Sequence, residues 1–223
     1  MCGRYTLTDP GDLLQELQVQ DGGGGELPAR YNIAPTQSVP AIRQGVDGAR
    51  RLGFLHWGLI PFWAKDRSIG NRMINARSET AAEKPSFRSA FKSRRCLIPA
   101  DGFYEWKKVS GGKQPFHIHR PERRPFVFAG LWERWDKGEA PIESCTVLTT
   151  GPNDRVAEVH DRMPVILRDG ARDLWLDPDV RDRDLLESVL KSVPEEYLEL
   201  TPVSRLVNNP RNDVVGCLDP VEL

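Results

Sequence analysis

The sequence predicts an α+β fold in a single domain, 1–223, with a curved β-sheet or barrel at its core and short peripheral helices. Three observations point there. Short β-branched and aromatic runs punctuated by Gly and Pro dominate the chain. The few helical stretches interrupt those runs without a regular β-α-β alternation. No internal repeat or long linker divides the 223 residues, and 39% hydrophobic content is sufficient for a core.

Asp9 to Val19 predicts a first helix, with Asp9 as N-cap, Pro10 at the first helical position and Leu13, Leu14 and Leu17 on one face. Gly22 to Gly25 end it and read as a flexible surface loop. No Lys-Ser/Thr follows, as a phosphate-binding loop would require. Ser38 to Ile60 and Cys96 to Arg134 carry strand patterns such as Leu97-Ile98-Pro99, Phe116-His117-Ile118-His119 and Phe126-Val127-Phe128. Glu143 to Thr150 and Met163 to Arg168 add two more strands. Ser78 to Arg95, Asn153 to Arg162 and Asp182 to Ser192 read as helical, the first broken or kinked at Pro85.

Lys and Arg number 31 against 32 Asp and Glu, a formal net charge of -1. A polyanionic partner must therefore be held by a local basic patch and not by the overall field. Cys2, Cys96, Cys145 and Cys217 are widely spaced with no C-x-x-C pair, which argues against a zinc site or a redox dithiol and predicts reduced thiols. Cys96, Cys145 and Cys217 read as small buried hydrophobes. With no signal segment and no apolar stretch near the ~20 residues a bilayer demands, the expectation is a soluble, cytoplasmic, monomeric protein without metal or cofactor.

The chemistry starts at Met1-Cys2-Gly3-Arg4. Removal of Met1 before a small residue leaves Cys2 with an α-amine and a thiol on adjacent carbons. Such a 1,2-aminothiol can act as an N-terminal nucleophile, or condense twice with one aldehyde to close a five-membered thiazolidine. The alternative is an incidental cysteine on a mobile terminus. Three further stretches carry polar residues that a core strand would not need. In Ile74-Asn75-Ala76-Arg77-Ser78-Glu79-Thr80, Asn75 and Arg77 share a face if extended, unless Asn75 or Ser78 merely caps the next helix. In Ala100-Asp101-Gly102-Phe103-Tyr104-Glu105-Trp106-Lys107, Glu105 lies among aromatics that would raise its pKa, unless it forms an exposed ion pair with Lys107 or Lys108. In Glu158-Val159-His160-Asp161-Arg162-Met163-Pro164, His160 and Arg162 suit a proton shuttle with an anion clamp, or a cation at a helix C-terminus.

These stretches, with Tyr31-Asn32-Ile33-Ala34-Pro35 and Trp57-Gly58-Leu59-Ile60-Pro61, closely resemble the SRAP family of SOS-response-associated peptidases, or abasic-site-processing proteins. The resemblance runs over essentially the whole chain. It implies an SRAP-like fold and a sensor of abasic sites in single-stranded DNA that becomes covalently joined to them through Cys2. By the same resemblance Glu105 is the acid/base beside the amine, His160 assists ring opening and imine chemistry, and Asn75 hydrogen-bonds the Cys2 adduct. Arg4, Arg77 and Arg162, each beside a proposed catalytic residue, would contact phosphates. Trp106 and Thr149 match family positions near the DNA, and Phe62 and Trp63 are further stacking candidates. His56, His117 and His119 fall in no motif and read as structural or exposed. A weak lyase activity and autoproteolytic loss of Met1 are compatible with this reading. The alternatives are an N-terminal-nucleophile thiol peptidase or amidohydrolase, and a plain single-strand binding module.

Overall fold

The computed structural model describes residues 2–20 and 27–223. Met1 and the Gly22 to Gly25 loop fall outside them. In order the elements are β1 (Tyr5–Leu7), α1 (Leu13–Glu16), β2 (Arg30–Ile33), β3 (Ser38–Gln44), β4 (Arg50–Trp57), β5 (Asn75–Arg77), α2 (Ser78–Ala81), α3 (Arg88–Ser93) and β6 (Arg95–Ala100). There follow β7 (Gly102–Val109), β8 (Gly112–His119), β9 (Phe126–Trp135), β10 (Ile142–Thr150), α4 (Asp154–Ala157), β11 (Met163–Pro164), β12 (Ile166–Leu167), α5 (Asp169–Leu176), α6 (Arg183–Ser188) and β13 (Glu199–Pro202).

Five strands close on themselves in the order β10-β4-β3-β6-β9 and back to β10. The long strand β9 makes this possible, pairing with β6 through residues 126–131 and with β10 through residues 130–135. Closure removes the exposed strand edges an open sheet would carry. The alternation along the barrel strands then feeds two cores. Val39, Ala41, Cys96, Ile98, Phe126, Phe128, Cys145 and Val147 pack with Tyr5, Leu7, Ile33, Phe103 and Ile118. Ile42, Leu97, Val127, Ala129, Leu131 and Leu148 pack instead with Leu13, Leu17, Phe91, Trp175 and Leu186 from the helical segments. Strands buried on both faces read as continuous apolar runs, which is why they were legible.

A second sheet, ordered β13-β8-β7-β1-β2, lies alongside. Within it β1 lies between β7 and β2 and runs antiparallel to β7, with Tyr5 opposite Phe103 and Thr6 opposite Gly102. The predicted α+β class and barrel core are therefore observed.

Helices are shorter than the sequence suggests. Gly11 adopts φ +49°, and the Asp9 carboxylate accepts from Gly11 N at 2.7 Å, so the expected Asp9 to Val19 helix contracts to one turn. Leu13 and Leu17 are nevertheless the residues it buries. The Ser78 to Arg95 segment splits into α2 and α3 across Pro85, and the Asn153 to Arg162 segment keeps only the turn α4. The Met163 to Arg168 strand changes partner at Val165, pairing first with β10 and then with β9. Helix α5 and strands β1, β2 and β13 add to the predicted elements. Arg95, 3% exposed, joins the helices to the barrel: it donates to Phe91 O and Lys92 O at the end of α3, and to Trp175 O, Asp177 O and Val180 O at and beyond the end of α5. All but Val180 O are carbonyls a helix end leaves unpaired.

Candidate functional site

The site is built at the start of β1, and the far end of that strand is what holds it. Buried Asp101 accepts hydrogen bonds from Thr6 Oγ1, Thr8 N, Thr8 Oγ1 and Asp9 N. Because the Thr6 hydroxyl donates to Asp101, the His117 Nε2–H donates to Thr6 Oγ1 at 3.0 Å. Burial holds the His117 pKa well below its ordinary value, so the ring is neutral and stacks on His119. Gly102 makes room for it, since a Cβ there would lie 2.0 Å from His117 Nε2. Two of the histidines outside the motifs are thus structural, as expected.

At the near end of β1, Cys2 is fully buried. Its Sγ lies 3.9 Å from Arg4 O, and its carbonyl accepts from Asn75 Nδ2 at 2.8 Å. Burial first, and the nearby Glu105 carboxylate second, push the Cys2 thiol pKa well above its ordinary value, so the resting group is SH. Asn75 is placed by β5, whose parallel pairing sets it opposite Val147, and by Trp57 Nε1 donating to the preceding Ile74 O at 2.9 Å. It does not cap α2, where Arg77 is the N-cap residue. The Asn75 carbonyl Oδ1 is buried without a hydrogen-bond partner among the described residues.

Glu105 stands on β7, 3% exposed, so it cannot form the exposed lysine pair considered above. Desolvation raises its pKa, while His160 acts in the opposite direction. His160 Nε2 lies 3.7 Å from Glu105 Oε2. Arg162 N donates to His160 Nδ1 at 3.0 Å, which leaves the ring proton of the neutral tautomer on Nε2, toward Glu105. Asp161 Oδ1, also 3.0 Å from Nδ1, can accept only when that nitrogen is protonated.

Glu105, Trp106, Lys113, His160 and Asn208 line an open cleft of about 560 Å³. The sequence reading found three of these five. Lys113 reaches the cleft through the β7–β8 hairpin, whose Val109-Ser110-Gly111-Gly112 turn was its available signal. Asn208 comes from the C-terminal segment, which no local pattern places here; it accepts from Trp106 Nε1 at 2.7 Å.

The candidate DNA contacts divide by what they already touch. Arg77 is exposed on β5. Arg4 donates to Asn32 Oδ1 at 2.9 Å and Val207 O at 2.8 Å, and its guanidinium lies 6.0 Å from the Trp106 ring. Arg162 grips Glu79 through two bonds of 2.6 and 2.8 Å and donates to Thr149 O at 2.6 Å. Thr149 is 1% exposed, with its hydroxyl 3.5 Å from Ala76 O and 3.4 Å from Arg162. Phe62 and Trp63 are 51% and 42% exposed and form no part of the core; with Arg88 and Lys92 they line a separate groove.

Comparison with known proteins places this geometry. The chain matches the family described as SOS response associated peptidase (SRAP) over residues 1–210. It is 46% identical over 218 residues to the abasic site processing protein YoqW of Bacillus subtilis (strain 168), covering 96% of each chain. It is 33% identical over 232 residues to the abasic site processing protein HMCES of Gallus gallus, covering 89% of this chain and 68% of that one. A crystal structure of a protein from Bacteroides thetaiotaomicron shares the fold with a TM-score of 0.86 at 24% identity, over 99% of this chain and 100% of that one. The chain belongs to the SOS response associated peptidase (SRAP) family.

Proposed function

We propose that this protein recognises abasic sites in single-stranded DNA and joins them covalently through Cys2 once Met1 is gone. The observation that carries the reading is the buried Cys2 clamped by Asn75 with a raised-pKa carboxylate, Glu105, and a histidine at the floor of an open cleft. The relatives named for abasic site processing support it.

The chemistry needs no redox partner. The open-chain aldehyde of the lesion condenses with the Cys2 amine, losing water to give an imine. The thiol then adds across C=N: sulfur bonds to carbon, and nitrogen takes the proton. An α-amine of pKa ~7.7–8.0 is mostly protonated at neutral pH and the buried thiol is fully so, which means both steps need a base. Glu105, with its pKa raised by burial, is suited both to take those protons and to give one to the departing water. His160 passes protons between Glu105 and the cleft, and its carboxylate partner Asp161 takes up the charged state. Asn75 Oδ1, which has no hydrogen-bond partner among the described residues, fits the N–H of the closed ring. Loss of the 3′ phosphate from the imine is a side reaction that ring closure suppresses.

The DNA would lie along the cleft, with Trp106 stacking on a neighbouring base, worth roughly 1–3 kcal/mol. Exposed Arg77, Phe62 and Trp63 suit the same strand farther along. Testing takes a single-stranded oligonucleotide with one abasic site. Wild-type protein forms a heat-stable adduct. Cys2→Ser forms only an imine, captured by borohydride and otherwise lost on heating. A heat-stable adduct from Cys2→Ser would rule out thiazolidine closure.

A further inference from the structure

Lys108 and Lys113 stand directly opposite each other across the β7–β8 ladder. Both are exposed, and neither forms an ion pair among the described residues. Like charges in that register repel. Strand alternation puts both on the face of the hairpin that carries Trp106, and Lys113 lines the cleft with Trp106, Glu105 and His160. On the same rim, the indole N–H fixes the Asn208 side chain, because only Oδ1 can accept it. The Asn208 amide NH2 is thereby left as a double donor with no hydrogen bond to another described residue. By contrast, the guanidinium of Arg162 is committed to Glu79 and that of Arg4 to Asn32 and Val207.

We propose that the tip of the β7–β8 hairpin, with Lys113, Lys108 and Asn208, is the seat for a backbone phosphate flanking the lesion, with Asn208 also orienting Trp106 as a positioning residue. This rests on the abasic-DNA reading and deepens it. A phosphodiester oxygen accepts from the Asn208 amide and from the Lys113 ammonium, and its charge relieves the opposed lysines. The indole held by Asn208 is then set to stack on the adjoining base, so backbone and base are gripped from one hairpin and one C-terminal side chain. No base edge is read, as suits a protein that must find a lesion in any sequence.

The test measures binding apart from crosslinking, using fluorescence anisotropy of a labelled single strand that carries one tetrahydrofuran abasic analogue, which has no aldehyde to react. Lys108→Gln with Lys113→Gln should weaken binding roughly fivefold at about 0.1 M salt and lower the salt slope by about 0.7, the contribution of the one phosphate they neutralise. Its thermal midpoint should equal or exceed that of the wild type, because the opposed charges are gone. Asn208→Asp keeps the indole acceptor but replaces the amide donors with a carboxylate; it should bind more weakly still, with its midpoint unchanged. Lys191→Gln, an exposed lysine outside the cleft, should match the wild type. A double lysine variant with wild-type affinity and wild-type salt slope would overturn the seat. If the wild type binds the analogue with the expected slope yet fails to crosslink natural abasic DNA, the covalent reading falls and the phosphate seat stands.

Discussion

Glu105 is nearly closed off from solvent, and the burial that raises its pKa also makes its charged form a burden on the fold. Unfolded, the carboxyl titrates near ~4.3; folded, it titrates higher, so the native state binds the proton more tightly. The stability from that difference is fully present below pH ~4 and is lost as pH rises through the folded pKa. Glu105→Gln should therefore raise Tm over the wild type at pH 7, with the gain vanishing near pH 4; a constant gain across that range would mean burial is not the cause. The same variant should slow adduct formation by roughly 10²–10⁴-fold while still binding single strands, the loss typical of a missing acid/base group. Asn75, Glu105 and His160 stood out in short runs whose polarity makes no sense for a core strand, and Cys2 by its place directly behind Met1, while the role of each was implied by the family resemblance. The structure brings Asn75 onto Cys2, and His160 toward Glu105. Lys113 and Asn208 were missed because their meaning depends on the cross-strand register and on the return of the C-terminal segment, neither of which a local window contains.

Two short elements do the positioning. Strand β1 has only three residues, and Asp101 fixes its far end with four hydrogen bonds. Asp101→Asn replaces one accepting oxygen with a donor facing other donors. It should cost about 2–3 kcal/mol, a fall in Tm of roughly 5–10 °C for a chain this size, with slower crosslinking because the strand that aims Cys2 is loosened. Turn α4 sets up His160. Asn153 caps it by accepting from Val156 N at 2.9 Å and also donates to Val193 O and Pro194 O, while His160 N donates to Val156 O at 2.9 Å. Asn153→Ala should cost about 1–2 kcal/mol in thermal or urea unfolding and should depress crosslinking more than single-strand binding. The strands were legible from their apolar runs. The helices were over-read, since a leucine stripe such as Leu13, Leu14 and Leu17 fits one turn as well as three once a glycine at positive φ stops the chain from winding. Helix α5 went unread because its anchor Trp175 packs on Phe91 and donates to Cys96 O, partners far off in sequence.

At the scale of the molecule, a closed barrel gives a rigid wall, and the second sheet lays β1 and Cys2 against it. That arrangement puts Cys2 inside the fold instead of on a mobile tail. With a net charge of -1 the protein has no global field to draw DNA in, so the proposed binding rests on local cations beside the cleft. Its single-strand binding should accordingly fall steeply with salt while the rate of the covalent step, once DNA is saturating, should not. The central claim is that Cys2 forms the bond. The direct measurement is an intact mass of the protein after incubation with a single strand bearing one abasic site, with the adduct mapped by peptide sequencing. The predicted result is a protein lacking Met1, shifted by the mass of the DNA less one water, with the bond at Cys2. An adduct mapped to a lysine, or no adduct from protein shown to begin at Cys2, would contradict it.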